Sequence, residues 1–434
     1  MTSILKTLSV ALSLAVALPV AADPYCAALG DADQLPKKYQ KKGPFYIDAT
    51  SGWIVGRDQL KSDFAVTAET SALWRDIREA FAERGAQLVV LAAPPRPLFA
   101  PEHMALPATY DRLKQQQDFS DYIAALNAAG IATPDLSGFH SMVDEYYFAR
   151  DTHWTPMGAF HSVVHLKRAM GEQTNRGAGD DIEAEGTYTE KGSLSAVVEA
   201  TCGARPVAET VPAATYVQQG GAAALLGDDM SQDKIALVGT SFSDRYQRDA
   251  YQVADALSFV MDRPVDNYAV TGGGLTGALE AFLNTESLAT AEYKTVVWEV
   301  PYTSPLTQVD GLRQVLGNLH RPVGAAMETR TLTLDDTWTT VDHEFSLSEV
   351  SVIEVETPGV DTGKLVIELI DRDGTKIRNR LTKSDRIDSA SRSPNWTMAT
   401  DHMPIKDIAR IKVRLTGVKS QSTATIKFFY DQTS

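Results

Sequence analysis

The sequence predicts an α/β domain built on a parallel sheet covered by helices, followed by an all-β sandwich. Three observations predict it. From about residue 45 to 320, strand-like apolar runs alternate with amphipathic helical patterns. Beyond about residue 325 no helical period of useful length remains, and the first 22 residues read as a cleaved leader outside the fold. With 434 residues, 44% of them apolar, the chain can bury an ordinary core and supply two or three domains of about 100 to 200 residues each.

The leader rests on Lys6, an apolar run from Leu8 to Val20, and the small residues of "PVAADP" before Asp23. Pro19 interrupts that run, and no later segment approaches the roughly 20 consecutive apolar residues of a membrane helix. The expectation is an exported, soluble, periplasmic protein without a membrane span. Only Cys26 and Cys202 are present, an even pair in a compartment where disulfides persist, so a Cys26–Cys202 bridge is expected. Two unpaired buried thiols are the competing reading.

The elements of the α/β domain, residues 23–324, follow in order. A helical run from about Ala68 to Arg84 leads into the strand "AQLVVLAAPP" (86–95), which ends in a proline-rich loop. A second helix covers about Tyr110 to Ala129, and after "ARDTHWTPMG" (149–158) the run "GAFHSVVHLKRAM" has apolar positions at helical spacing. Residues 172–227 show little periodicity and read as a long excursion holding Cys202. Regularity returns with strand "KIALVG", helix "YQVADALSFVM", short strand "NYAV", helix "LTGALEAFL" and the buried strand "KTVVWEV" (294–300). In residues 325–434, "TRTLTL", "TWTTVDHEF", "VSVIEVET", "KLVIELIDRDG", "IARIKVRL" and "TATIKFFY" alternate between turn signals, as an antiparallel sandwich requires.

The formal charge is −15, which argues against nucleic acid as a partner. The excess is uneven: residues 372–427 hold 13 Lys+Arg against 5 Asp+Glu. Arg378, Arg380, Lys383, Arg386 and Arg392, with Trp396, combine cations and an aromatic as a charged sugar chain would need. The competing reading is a set of solvated strand faces.

Two motifs carry candidate chemistry. In "LVGTSFSDRY" (237–246) Ser241 stands where a buried strand meets a turn, the edge at which open α/β sheets bind ligands. Backbone N–H groups of such a turn can hold an oxyanion, but serine needs a base. In "DTHW", Asp151 and His153 supply a base with its orienting acid two residues away. Each motif taken singly is more often a plain turn, a cap or a satisfied hydrogen-bond pair. The nucleophile elbow G-x-S-x-G is absent, since Ser243 stands where glycine would be. His161 and His165 have ligand-like i, i+4 spacing but lack the H-E-x-x-H glutamate and fall within an apolar-periodic helix, so no metal is expected. "TGGGLTGALEAF" (271–282) departs from a dinucleotide fingerprint, and no cofactor is expected.

With "DTHW", "GTSFS", "GGGL" and "VVWEVP" in this order, the sequence resembles the periplasmic alginate O-acetyltransferases, an SGNH-hydrolase-like group, and within it the X-type with a C-terminal carbohydrate-binding module. The resemblance implies an SGNH-like α/β domain with Ser241 as nucleophile, His153 as base and acid, Asp151 as its orienter, and Gly272 or Gly273 as an oxyanion donor. It implies acetyl transfer through an acetyl-serine to an acidic polysaccharide, by a monomer within an envelope complex in which another protein delivers the acetyl group. Arg96, Trp154, Arg245, Tyr246 and Tyr302 are candidates to line the groove, and Arg380, Lys383, Arg392 and Trp396 to contact sugar. A hydrolysing esterase and a non-catalytic polysaccharide-binding assembly protein are the alternatives.

Overall fold

The computed structural model describes residues 24–143, 145–172, 186–216, 234–285, 288, 292–320, 326, 328–341, 345–346, 350–405, 407–418 and 421–430. The expected leader lies outside these residues. Among them, no helix is long and apolar enough to cross a membrane.

In chain order the first unit contains β1 (Phe45–Asp48), β2 (Trp53–Gly56), α1 (Ala68–Glu83), β3 (Gln87–Ala92), α2 (Arg112–Ala128), α3 (Pro156–Ala169), β4 (Gly186–Glu190), α4 (Ser193–Cys202), β5 (Glu209–Ala213), β6 (Lys234–Val238), α5 (Val253–Met261), β7 (Val265–Asn267), α6 (Gly274–Leu283), β8 (Tyr293–Val300) and α7 (Val309–Leu319). The central sheet runs β3-β8-β6-β7, all parallel, and a bridge from Val89 to Ala132 extends its edge. Strands β3, β6 and β8 are buried almost throughout, the continuous apolar run expected of a sheet covered on both faces. Helix α1 starts where Thr67 accepts the Thr70 N–H, and buries Leu73, Trp74, Ile77 and Phe81 on the core side.

The expected excursion is only partly irregular. Between residues 186 and 213, β4 and β5 pair antiparallel around α4. Alternation over five residues and a helix of ten are too short to stand out in an Ala/Thr/Gly-rich stretch. The Cys26–Cys202 disulfide forms, tying the chain's first described turn to the last residue of α4 across a separation of 176.

The second unit contains β9 (Glu328–Leu334), β10 (Thr339–Val341), β11 (Phe345–Ser346), β12 (Val350–Glu356), β13 (Gly363–Asp371), β14 (Lys376–Lys383), β15 (Asn395–Ala399), β16 (Asp407–Thr416) and β17 (Ser422–Tyr430). They form two antiparallel sheets, β10-β16-β13-β14 with β11 on β16, and β15-β12-β17-β9, closed over a core that includes Trp396, Ile411, Val413 and Phe428.

The two units meet along α7. Gly317 lies so close to β15 that a Cβ there would stand 2.7 Å from the Met398 backbone nitrogen. Gln314 pairs with Thr382 like a strand neighbour, at 3.0 and 2.9 Å. Arg313, 1% exposed, donates to the carbonyls of Ala399 (3.2 Å) and Asp401 (2.6 Å) and to Glu69 of α1 (2.6 Å). His402 meets Asp76 of α1 at 2.7 Å.

Candidate active site

The carboxyl ends of β6 and β8 and the loop 149–155 converge on one edge of the parallel sheet. In "DTHWTP", Thr155 caps α3 by accepting the Gly158 N–H, and Pro156 occupies the first turn, where its missing N–H costs nothing. His153 therefore stands just ahead of a helix start and is fixed by it. The stretch before it is held by Arg96, which is fully buried and donates to the carbonyls of Phe148 (2.8 Å), Ala149 (2.6 Å) and Ile54 (2.7 Å). Arg96 is thus a scaffold for the loop, and the expectation that it lines the groove is corrected: five donors and many carbonyls make it a buried strap.

Asp151, His153 and Ser241 form one hydrogen-bonded line. His153 Nε2 is 2.7 Å from Ser241 Oγ, across 88 positions of sequence, and His153 Nδ1 meets Asp151 Oδ1. The same Asp151 oxygen accepts the His153 backbone N–H (3.0 Å), and its other oxygen accepts the Ser193 N–H at the start of α4 (2.5 Å). Arg245 stands 3.7 Å from Asp151 and 3.6 Å from Glu190. Burial works against the Asp151 carboxylate, but His153, Arg245 and the Ser193 amide outweigh it and hold the carboxyl well below its usual range. Tyr251 stacks on the imidazole, with ring centroids 5.1 Å apart at 23°.

Trp154 is fully buried and donates from its indole to the Phe242 carbonyl at 3.0 Å, so it braces the serine turn from below instead of shaping the groove. Glu299, at the end of β8 and fully buried, accepts the Thr240 N–H at 2.6 Å and its hydroxyl at 3.1 Å. Burial raises its carboxyl to about 7, against the pull of the Thr240 bonds.

These groups open on a cleft of about 940 Å³ whose lining includes His153, Ser241, Arg245, Tyr246, Gly272 and Tyr302. Tyr246 is 67% exposed, whereas Tyr302 presents a buried hydroxyl with no hydrogen-bond partner among the described residues. Gly272 has φ +76° and lines the cleft; Gly273 does not line it and gives its N–H to the Val270 carbonyl at 3.0 Å. Among the described residues the Gly272 N–H has no acceptor, whereas that of Gly273 is taken. Ser384 and Arg386 of the sandwich rest against Gly272: the Ser384 hydroxyl donates to its carbonyl at 3.2 Å.

The sandwich corrects the expected sugar contacts. Trp396 is fully buried in its core and donates to Thr357 Oγ1, Lys383 caps the Ser393 and Asn395 carbonyls above that indole, and Arg392 pairs with Asp361 at 3.3 Å. Arg380 remains exposed beside Asp310. A half-buried aromatic-cation cluster lies instead at Trp338, with the guanidinium of Arg414 4.9 Å and that of the exposed Arg378 5.7 Å from its ring. Across the sheet, Arg378 and Lys412 flank Glu368, and Arg380 and Arg414 flank Val366, all on the face opposite the core residues Leu365, Ile367 and Leu369. A single carboxylate, Glu368, sits within these two rows and is bound by Arg378 at 2.5 Å.

Sequence reasoning missed Glu299, Ser193, Tyr251 and Trp338. Glu299 had a signal, an acid inside an otherwise apolar buried strand; Ser193 contributes only a backbone N–H and had none. His161 and His165 pack edge-on to Phe160 and Phe139, and among the described residues no group of three or more His, Cys, Asp or Glu is gathered as metal ligands would be.

The chain is similar to known proteins of alginate biosynthesis in sequence and fold. Alginate biosynthesis protein AlgX of Pseudomonas syringae pv. tomato is 27% identical over 297 residues, 66% of this chain and 60% of that protein, and AlgX of Pseudomonas aeruginosa is 28% identical over 302 residues, 67% and 63%. The chain thus spans somewhat under two thirds of the length of these relatives. The probable alginate O-acetylase AlgJ of Pseudomonas aeruginosa is 26% identical over 295 residues, 62% of this chain and 73% of that protein. A solved structure of Pseudomonas aeruginosa AlgX superposes with a TM-score of 0.70 over 94% of this chain and 99% of the other, at 21% identity, which establishes the shared fold. Residues 49–302, more than half of the chain, match the family model described as "SGNH hydrolase-like domain, acetyltransferase AlgX", and to that family the chain belongs.

Proposed function

We propose that this chain is an O-acetyltransferase that carries an acetyl group on Ser241 and delivers it to a hydroxyl of an exported acidic polysaccharide of the alginate type. The observation that carries the reading is the unbroken line from Asp151 through His153 to Ser241 at the wall of an open cleft. In the first half-reaction His153 Nε2 takes the Ser241 proton as Oγ attacks the donor's acetyl carbonyl. The bond to the leaving group then breaks, and His153 returns the proton to that group. In the second, an acceptor hydroxyl gives its proton to His153 and attacks the acetyl carbon, and Ser241 Oγ leaves and regains a proton. The backbone N–H groups of Ser241 and Gly272 are unclaimed among the described residues and suit the oxyanion of both tetrahedral intermediates.

The reading divides the chain into an acetyltransferase domain (23–324) and a carbohydrate-binding module (325–434), exported to the periplasm after removal of the leader. An envelope partner supplies the acetyl group. Trp338 with its two arginines, and the cation rows beside it, suit uronate rings and carboxylates. Holding the polymer beside the cleft favours a sugar hydroxyl over water as acceptor.

The test is incubation with a small acetyl ester and oligomannuronate, read by mass spectrometry of protein and sugar. An acetyl adduct on Ser241 and acetylated oligomers, both lost in Ser241→Ala, are expected. Acetate release without acetylated sugar would make the chain an esterase.

A further inference from the structure

We infer that Glu299 is a positioning residue for the nucleophile: it clamps the turn that carries Ser241, and the "GTS" and "WE" segments are two halves of one device. This rests on the reading of Ser241 as the nucleophile. Strands β6 and β8 are adjacent and parallel, so the chain leaving β6 at Val238 passes directly over the end of β8. Each residue of the turn before the serine is matched to the Glu299 carboxyl. Gly239 must be glycine, because a Cβ there would lie 2.6 Å from Glu299 Oε2. Thr240 gives Glu299 its backbone N–H at 2.6 Å and its hydroxyl at 3.1 Å. Ser241 follows immediately, and its own N–H has no acceptor among the described residues.

The clamp answers a structural problem. A turn at a sheet edge has no ladder partner, and the Thr240 amide, in a residue only 8% exposed, would otherwise be buried without an acceptor. A carboxyl within an apolar strand is expensive to bury, and two converging donors from one turn residue are what make it tolerable there. From the opposite side the same turn is held by Trp154 on the Phe242 carbonyl and by Asn267 on the Ser243 carbonyl at 2.8 Å. Glu299 alone among these grips the residue directly before the nucleophile. Losing it lets Ser241 Oγ drift from the 2.7 Å contact with His153, and a misplacement of about 1 Å at a reacting atom costs on the order of 100-fold in rate.

The experiment measures covalent labelling of Ser241 by an aryl sulfonyl fluoride, which needs neither acetyl donor nor sugar, alongside turnover of a small acetyl ester. Glu299→Gln keeps an oxygen for the Thr240 amide; Glu299→Leu removes it at similar volume; Glu299→Asp withdraws it by one methylene. The expected result is labelling within about fivefold of wild type for Gln, and a loss of roughly 100-fold for Leu, in kcat with little change in KM. If Leu does not fold, the Asp variant decides, with an expected loss of about tenfold or more and a thermal midpoint near wild type. A folded Leu or Asp variant that labels at the wild-type rate, or a Gln variant as impaired as Leu, overturns the inference. Wild-type protein that labels at a residue other than Ser241, or not at all, overturns the acetyl-serine reading and this inference with it. Labelling at Ser241 without sugar acetylation would leave the clamp standing and remove only the transferase assignment.

Discussion

Asp151→Asn tests the triad most directly. The substitution keeps the shape of the side chain, and an amide oxygen placed toward His153 still accepts its ring and backbone N–H groups. What is lost is charge. When His153 takes the serine proton, an imidazolium forms beside a carboxylate in a site where both side chains are at most 5% exposed. For charge centres about 4 Å apart at an effective dielectric near 20, that attraction is worth roughly 4 kcal/mol. It is absent when the ring is neutral, so it counts almost wholly toward the transition state and corresponds to about three decades of kcat. The amide nitrogen must also face the Ser193 N–H, donor against donor, which costs about 1 to 3 kcal/mol of stability. Because the Asp151 carboxyl is held below its usual range, its stabilising contribution is fully present above the unfolded value of 3.8 and is lost only as pH falls through the lower folded value. The destabilisation of Asp151→Asn should therefore be constant between about pH 5 and 8. Steady-state turnover of a chromogenic acetyl ester gives kcat, and urea unfolding at several pH values gives stability. A variant retaining more than about a tenth of wild-type kcat would refute the charge argument.

Burial raises the carboxyls of Glu299 and Glu280 to about 7, so both hold protons more tightly folded than unfolded. Stability should be greatest below the unfolded value of 4.5 and decline as pH rises toward 7, by up to about 3 kcal/mol for Glu299. Thermal scans from pH 5 to 8 should show that decline and its reduction in Glu299→Gln; a flat profile in wild type sinks the claim. Replacing both Cys26 and Cys202 with serine opens a loop of 176 residues and should cost about 2 to 5 kcal/mol, read as a lower urea midpoint. An unchanged midpoint would contradict it. Trp338→Ala combined with Arg414→Gln should weaken oligomannuronate binding in calorimetry by roughly 5- to 30-fold and leave small-ester turnover unaltered. Undiminished binding would move the sugar site elsewhere.

The parallel sheet and the sandwich could be read in the sequence because burial on two faces or one leaves a plain signature: continuous apolar runs for β3, β6 and β8, alternation for β16 and most of β17. The charged alternation of β14 was legible as a basic stretch and missed as a strand. Asp151, His153 and Ser241 could be named because their side chains carry the geometry. Side chains whose role depends on which face they take were not legible. Trp396 on β15 points into the sandwich, and Trp338 packs against Arg378 and Arg414 of strands distant in sequence, so neither placement can be read from the local run of residues. Arg96 looks like a groove cation until the carbonyls of Phe148 and Ala149 are seen around it. Gly272 and Gly273 are neighbours in sequence, yet only the fold reveals that one amide is already spent on Val270.

The seam along α7 bears on how this protein can be dissected. Arg313 depends on two sandwich carbonyls, Gln314 completes its bonding on β14, and Gly317 has no side chain because β15 lies against it. Cutting the chain before the sandwich would strand a buried guanidinium, bare a helix face shaped for contact, and release the Ser384 hydroxyl from the Gly272 carbonyl at the cleft. A truncated α/β unit would thus report on its own damage as much as on the missing polymer contacts. Point substitutions at Trp338 and Arg414 leave the bonds of Arg313 and Gln314 in place and separate the two effects. In mechanical terms the sandwich is a fence bolted to the workbench, with Ser384 and Arg386 standing against Gly272 at the side of the cleft that holds Ser241.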